Sequence, residues 1–337
     1  MKKKLLTALK YSFFLGLGIF LVWWSIHKMD DKSWEDCKQA LKSANYILFL
    51  PVFFIITASH ISRAMRWKIL MKPMGYNPGF LNTFFAVMIG YLTNLAIPRL
   101  GEVIKCTIIG KYEKVPPDKL VGTILVERVV DVICLGIVFV IALLTQLDLL
   151  GQYARKTMSE NFLKDGTNAL LIKLTITVSI LITFYFGLRF IFRKYQHNAF
   201  ITKVKKLAAG VKAGITSIRY LQNKWEFILH SIFIWCCYLG GTYLGFYATI
   251  GTENLPVAAT FPVLAFASIG MIITPGGIGA YPRFIMQVMM LYNVEEGVAF
   301  ANGNLQWIAQ TVIILLVGFI SLLLLPYFNK PKVAEAS

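Results

Sequence analysis

Two long apolar stretches of this chain are interrupted by polar, proline-bearing turns, NLAIPRLGE at Asn94–Glu102 and TPGGIGAYP at Thr274–Pro282. In hydrocarbon, a backbone that unwinds leaves N–H and C=O groups without partners, at several kcal/mol each. A break inside apolar sequence must therefore be packed in protein or line a wet cavity. Broken helices at membrane depth are a common way to build a site within a bilayer.

The rest of the composition fits a membrane setting. The chain is 57% hydrophobic and only 15% charged, whereas soluble domains run near 25% charged. Apolar windows of spanning length recur at about 9–26, 45–61, 121–146, 169–190, 227–250 and 305–328, with the two broken segments at about 80–112 and 257–292. The expectation is one all-α polytopic membrane domain over 1–337. It has about six spanning helices plus two oppositely oriented broken or re-entrant helical hairpins. The amino end, MKKKLLTALK and an apolar run closing in VWWSIHK, has no small-residue cleavage site and is expected to remain as the first span.

Charge sets the expected orientation. With hairpin 80–112 entering from the inner side and 257–292 from the outer side, 24 Lys and Arg lie inside and 7 outside. This satisfies the positive-inside rule and puts both termini in the cytoplasm. Eight simple spans would instead expose the basic loop 189–226. Within that loop Ile201, Val204, Ala208, Val211, Ile215 and Ile218 recur at helical spacing, predicting an amphipathic helix over about 200–220 at the inner interface. The net charge of +17 is thereby attributed to lipid contact. No nucleic-acid module accompanies it. The five cysteines and four histidines show no metal spacing, and no nucleotide-binding or hydrolase motif is present. Neither a cofactor nor a catalytic residue is expected.

The charged residues inside apolar sequence are the candidates for function. Glu127, Arg128 and Asp131 lie in GTILVERVVDVICLG, where i, i+3 and i+4 spacing lets them share one helix side. They form either a structural ion cluster clamping the hairpin or the polar wall of a pathway. The first hairpin offers Asn94, Arg99, Glu102 and Lys105. Pro98 ends the incoming helix, Glu102 suits the positive start of the returning one, and Arg99 has the planar donors that fit a phosphate. Pairing of Arg99 with Glu127 or Asp131 is the alternative. In the second hairpin Gly276, Gly277 and Gly279 allow close backbone approach, and Arg283 follows. Arg63 and Arg66 share a helix face in SRAMRWKILMKPMGY between the second span and the first hairpin, where they read as phosphate ligands or as interface anchors.

RAMRWKILMKPMG, NLAIPRLGE, ERVVD and PGGIG, in this order and over nearly the whole chain, resemble the flippase-like transmembrane family that includes the transmembrane region of lysylphosphatidylglycerol synthases. Arg63, Arg66, Asn94, Arg99, Glu102, Glu127, Arg128, Asp131, Gly276, Gly277 and Gly279 match by motif. Pro282 stands where that family often has a glutamate. The cytosolic aminoacyl-transfer domain has no counterpart here, so lysyl transfer is not implied. The resemblance implies a cell inner-membrane protein that handles membrane phospholipids or lipid-linked glycans. The leading expectation is a lipid flippase or transporter holding an anionic head group among Arg63, Arg66, Arg99 and the glycine turn. The alternatives are a membrane transferase on a lipid-linked substrate, with Glu102, Glu127 and Asp131 as acids or bases, and an envelope scaffold. A homo-oligomer or an envelope-enzyme partner is compatible with each.

Overall fold

The computed structural model describes residues 16–146, 221 and 223–329, and the regular structure among them is helical throughout. The helices are α1 (16–28), α2 (Asp31–Lys42), α3 (Phe49–Met71), α4 (Phe80–Ala96), α5 (Leu100–Glu113), α6 (Pro117–Thr145), α7 (Lys224–Phe246), α8 (Thr260–Ile273), α9 (Ala280–Met290) and α10 (Glu296–Phe328). Helices over Tyr46–Met74, Lys224–Phe246 and Glu296–Phe328 are long and apolar enough to cross a bilayer. The expected span 169–190 and the expected amphipathic helix at about 200–220 lie outside the described residues.

Two helices run further than the apolar windows. α3 continues to Met71 rather than stopping near 61, so Arg63 and Arg66 sit within the helix and not in a link beyond it. α10 begins at Glu296 rather than near 305. Its first turns are rich in small residues because they pack tightly: a Cβ on Gly297 would meet Ser33 O of α2 at 2.0 Å, and one on Gly303 would meet Pro282 O of α9 at 2.7 Å. α2 itself was not foreseen. Asp30 caps it by accepting from Ser33 N at 2.8 Å.

Contacts at the helix ends define two faces. Asn45 N donates to Ala248 O, joining the start of α3 to the end of α7, and α2 lies against the start of α10. This far face carries residues 29–45, 247–259 and 291–295. On the near face, Asn329 at the end of α10 bonds Asn82 at the start of α4, alongside residues 72–79 and 114–116. α4 and α5 therefore form a hairpin from the near face, and α8 and α9 one from the far face. By helical rise the four arms measure about 25, 21, 21 and 16 Å, each short of the ~30 Å hydrocarbon core. The tips meet inside the bundle, where a Cβ on Gly276 would touch Leu95 of α4 at 3.3 Å.

Each break has a local cause. In the first, Pro98 follows the helix end, Arg99 takes a left-handed φ of 70°, and α5 starts at Leu100. The Asn94 amide oxygen accepts from Gly101 N at 2.9 Å, supplying a partner for one of the open N–H groups of the new helix. The arms touch through glycine, and a Cβ on Gly101 would lie 1.8 Å from Gly90 O. In the second, Gly276, Gly277 and Gly279 have φ of 60°, 75° and 71°, angles that a side chain disfavours.

Two predictions follow from this packing. Gly101→Ala should destabilise the purified protein by about 1–3 kcal/mol through overpacking, read as a lower melting temperature. Gly122→Ala in α6, whose Cβ meets nothing within 4 Å among the described residues, should be neutral or slightly stabilising. Cysteines placed at Lys72 and Asp118 should react with an impermeant thiol reagent from one side of the membrane and a cysteine at Glu295 from the other. Labelling of all three from one side would refute the two faces.

Candidate functional site

α3, α4, α5 and α6 line a cavity that opens from the near-face half of the bundle. Its charged lining is Arg63, Glu102, Lys105, Glu127, Arg128 and Asp131, with Tyr91 and Asn94 beside them. Asp131 is the hub. Its Oδ2 accepts from Arg63 Nη1 and its Oδ1 from Arg66 Nη2, both at 2.8 Å. Arg66 is wholly buried. It also donates to Ser231 Oγ of α7 at 3.2 Å and lies over the Phe227 ring. Arg63 Nε donates to the Tyr238 hydroxyl at 2.9 Å. One carboxylate thus fastens α3 to α6, while the two guanidinium groups reach across to α7.

A second pair sits a turn nearer the near face. Lys105 Nζ donates to Glu127 Oε2 at 2.7 Å and lies 4.3 Å from the Trp67 ring centroid. The Trp67 indole N–H is occupied by Thr123 Oγ1 at 2.8 Å. The third pair, Arg128 with Glu102, is at the rim, with side chains 53% and 28% exposed. Water or lipid reaches this pair, whereas the Asp131 cluster is largely buried, Arg66 wholly so.

The charges do not cancel. Arg63, Arg66, Lys105 and Arg128 face Glu102, Glu127 and Asp131, four cations against three anions. Each carboxylate already holds at least one cation, so the surplus positive charge belongs to the guanidinium pair on Asp131. A site with this balance attracts a singly charged anion, and arginine presents the planar donors that a phosphate takes.

The structure distributes the other expected site residues differently. Asn94 lines the cavity, yet its amide oxygen caps α5. Arg99 sits exposed at the hairpin tip, outside the cavity lining, with no hydrogen bond or ion pair among the described residues. Glu127 and Asp131 pair with Lys105 and with Arg63 and Arg66, not with Arg99. The glycine turn is occupied by its own backbone: Gly277 N donates to Thr274 O, Ile278 N to Pro275 O, and Gly276 O accepts from the Trp307 indole at 2.7 Å. Arg283 turns to α1, bonding Ser25 Oγ at 2.9 Å with its guanidinium 4.3 Å from the Trp24 ring centroid. Gly276, Gly277, Gly279 and Arg283 therefore stand apart from the charged cavity. Tyr91 lines that cavity, and Tyr238 and Ser231 bond its arginines, but none of the three carries a sequence signal, since tyrosine and serine in apolar runs read as packing.

The family model for the lysylphosphatidylglycerol synthase transmembrane region matches residues 9–327. The chain belongs to this family. Among curated proteins, it is 22% identical over 298 residues to the UPF0104 membrane protein MJ1595 of Methanocaldococcus jannaschii, an alignment covering 83% of this chain and 84% of that protein. No solved structure matches the chain. For this member of the lysylphosphatidylglycerol synthase transmembrane-region family, ERVVD supplies the carboxylates and Arg128, RAMRW supplies the two guanidinium groups, and the first hairpin supplies Glu102 and Lys105.

The two kinds of pair should respond differently to substitution. Asp131→Asn leaves two buried guanidinium groups without their counter-ion and should cost about 3–5 kcal/mol, seen as a large fall in melting temperature or yield. Glu102→Gln, at the more exposed rim, should cost less. Equal effects would show that the Asp131 cluster is not the more deeply buried one.

Proposed function

We propose that the protein moves an anionic phospholipid or lipid-linked glycan across or within the bilayer, with the head group in the charged cavity and the tails on the outer surface. The observation that carries this is the rim. Arg128 and Glu102 line the cavity and are also partly exposed, and the exposed residues around them are apolar: Val103 beside Glu102 on α5, and Leu125 and Val132 one turn either side of Arg128 on α6. A polar chamber with a surplus positive charge and an apolar doorstep suits an amphiphile with an anionic head. Opening the rim requires parting a single ion pair, Arg128 with Glu102.

Arg99 extends this path. It stands at the hairpin tip in a left-handed conformation that a non-glycine residue adopts at a cost of about 1–2 kcal/mol, with its guanidinium committed to no partner among the described residues. We assign it to the head group as it passes between the hairpin tips. The carboxylates argue against a membrane transferase, because Glu102, Glu127 and Asp131 are each held by a cation and none is free as a general base. The near face is assigned to the cytoplasm of the cell membrane, because Lys68, Lys72, Lys111, Lys114, Lys119 and Lys224 cluster there, and the segment 189–226 that leads into α7 carries nine Lys and Arg.

The test is a leaflet-resolved assay in liposomes containing only purified protein and fluorescently tagged anionic or zwitterionic phospholipid. The anionic lipid should redistribute without chemical change. Arg128→Gln and Arg99→Ala should slow it about tenfold, the loss expected for one charge-assisted contact, and Arg99→Lys should slow it less. A chemically altered lipid would establish a transferase instead. Neither movement nor alteration would leave a scaffold.

A further inference from the structure

A second cavity lies between α3, α7 and α10 in the far-face half, lined chiefly by apolar groups. The layer of side chains between the two cavities includes residues of α3, α4 and α7. Ile56 of α3 lines the second cavity and Arg63 lines the first, and on the helix between them, at i+4 and i+7 spacing, sits His60. Tyr238 lines the second cavity and accepts from Arg63. Tyr91 lines the first and its ring lies against that of His60 at a tilt of 48°, centroids 5.1 Å apart.

His60 is anomalous in this layer. It is 6% exposed, and neither ring nitrogen has a hydrogen-bond partner among the described residues. A buried imidazole always offers one donor and one acceptor, so two unpartnered nitrogens call for an explanation. Arg63 is one turn away on the same helix. The other groups facing this layer are Tyr91 of α4, Tyr238 of α7 and, through Arg63, Asp131 of α6. α4 carries no charged residue, and the one in α10, Glu296, is in its first turn at the far face. With Asp131 already shared by two arginines, no anion in the layer balances a charge on His60.

We propose that His60 and Arg63 form a joint site that takes up a singly charged phosphodiester together with one proton, the phosphate bound by the Arg63 guanidinium and the proton by a His60 ring nitrogen. This deepens the head-group reading above and rests on it. In the empty cavity a proton on His60 would stand one turn from Arg63 with nothing to offset it. An anion on Arg63 supplies the missing negative charge and makes protonation of the neighbouring ring favourable. By linkage the reverse holds equally, and a protonated His60 strengthens anion binding. A neutral pair, anion plus proton, then faces the apolar second cavity, where the anion alone would be poorly solvated. No covalent bond forms or breaks. The proton comes from solvent and leaves with the head group.

Calorimetric titration of the whole protein in neutral detergent tests this. The probe is dihexanoylphosphatidylglycerol, whose phosphodiester keeps one charge from pH 8 to 5.5, measured in pairs of buffers with different ionisation heats. Wild type should take up protons on binding, and its affinity should rise toward about tenfold per pH unit as the pH falls. His60→Gln should bind without proton uptake and with no pH trend, and His60→Asn provides the same comparison should the first variant not fold. His230→Gln, at a ring that bonds Ser62 away from the cavity, should behave as wild type. Dimethyl phosphate should bind more weakly than the lipid if tails contribute, and equally if a free phosphodiester is the ligand. Binding without proton uptake in wild type, or undiminished uptake in His60→Gln, overturns the joint site and leaves the head-group reading standing. A folded His60→Gln that no longer binds at all also overturns it, making His60 a direct ligand. Absence of binding of either probe to wild type sinks both.

Discussion

The Asp131 carboxylate between Arg63 and Arg66 is the interaction on which the rest of the interior depends. An isolated guanidinium as deeply buried as Arg66 would be prohibitively costly, and one carboxylate with both oxygens engaged makes two of them tolerable. The consequence reaches past the pair. It allows α3 to continue ten residues beyond its apolar window, holds α3 against α6, and draws in α7 through Ser231, Phe227 and Tyr238. A cavity persists beside it because the remaining charges, Lys105 with Glu127 and Arg128 with Glu102, satisfy each other around a space instead of collapsing into it. The sharing also leaves the positive surplus that gives the site its preference for anions.

The two hairpins meet tip to tip but differ in chemistry. The first returns through α5 bearing Glu102 and Lys105, so one arm of its break is committed to charge. The second carries one charge, Arg283, which turns away to α1, and its turn is closed upon itself. Gly277 N and Ile278 N bond within the turn, Trp307 of α10 takes Gly276 O, and the turn rests on α1, where a Cβ on Gly279 would approach Gly18 O at 2.4 Å. Pro282 belongs to this closure. It sits at the third position of α9, where its missing N–H costs no helical bond, and its backbone lies against Gly303 of α10. Opposed hairpins thus share a geometry without sharing a role: one borders the chamber, and the other buttresses the tip.

Much of this was legible in the sequence for physical reasons that can be named. Pro98 and the Pro275–Gly279 cluster mark the breaks, because proline removes a helical donor and glycine alone takes positive φ freely. The charges of ERVVD stand out because apolar sequence tolerates them only when partnered, and RAMRW stands out for the same reason. What each charge pairs with was not legible. Asp131 meets Arg66 and Arg63 across 65 and 68 residues of chain, and no local periodicity encodes a contact at that separation. The end of α3 was missed because a window ranks Arg63 and Arg66 by their cost in lipid, and the cost disappears once Asp131 is beside them. Asn94 looked like a ligand because its amide suits many partners, and the geometry gives it to Gly101 N.

The sequence by itself determined that this is a helical membrane chain, where its helices break, and which charges must be sheltered. These follow from the backbone's need for hydrogen bonds and from the cost of charge in an apolar medium, both local properties of a segment. Only the tertiary structure decided that the sheltered charges surround one chamber, that Arg99 and Arg283 stay out of it, and that His60 lies unpartnered between two cavities. These depend on which helix faces come together, and that choice is made by close approach at Gly101, Gly279, Gly297 and Gly303 and by one carboxylate shared between two arginines.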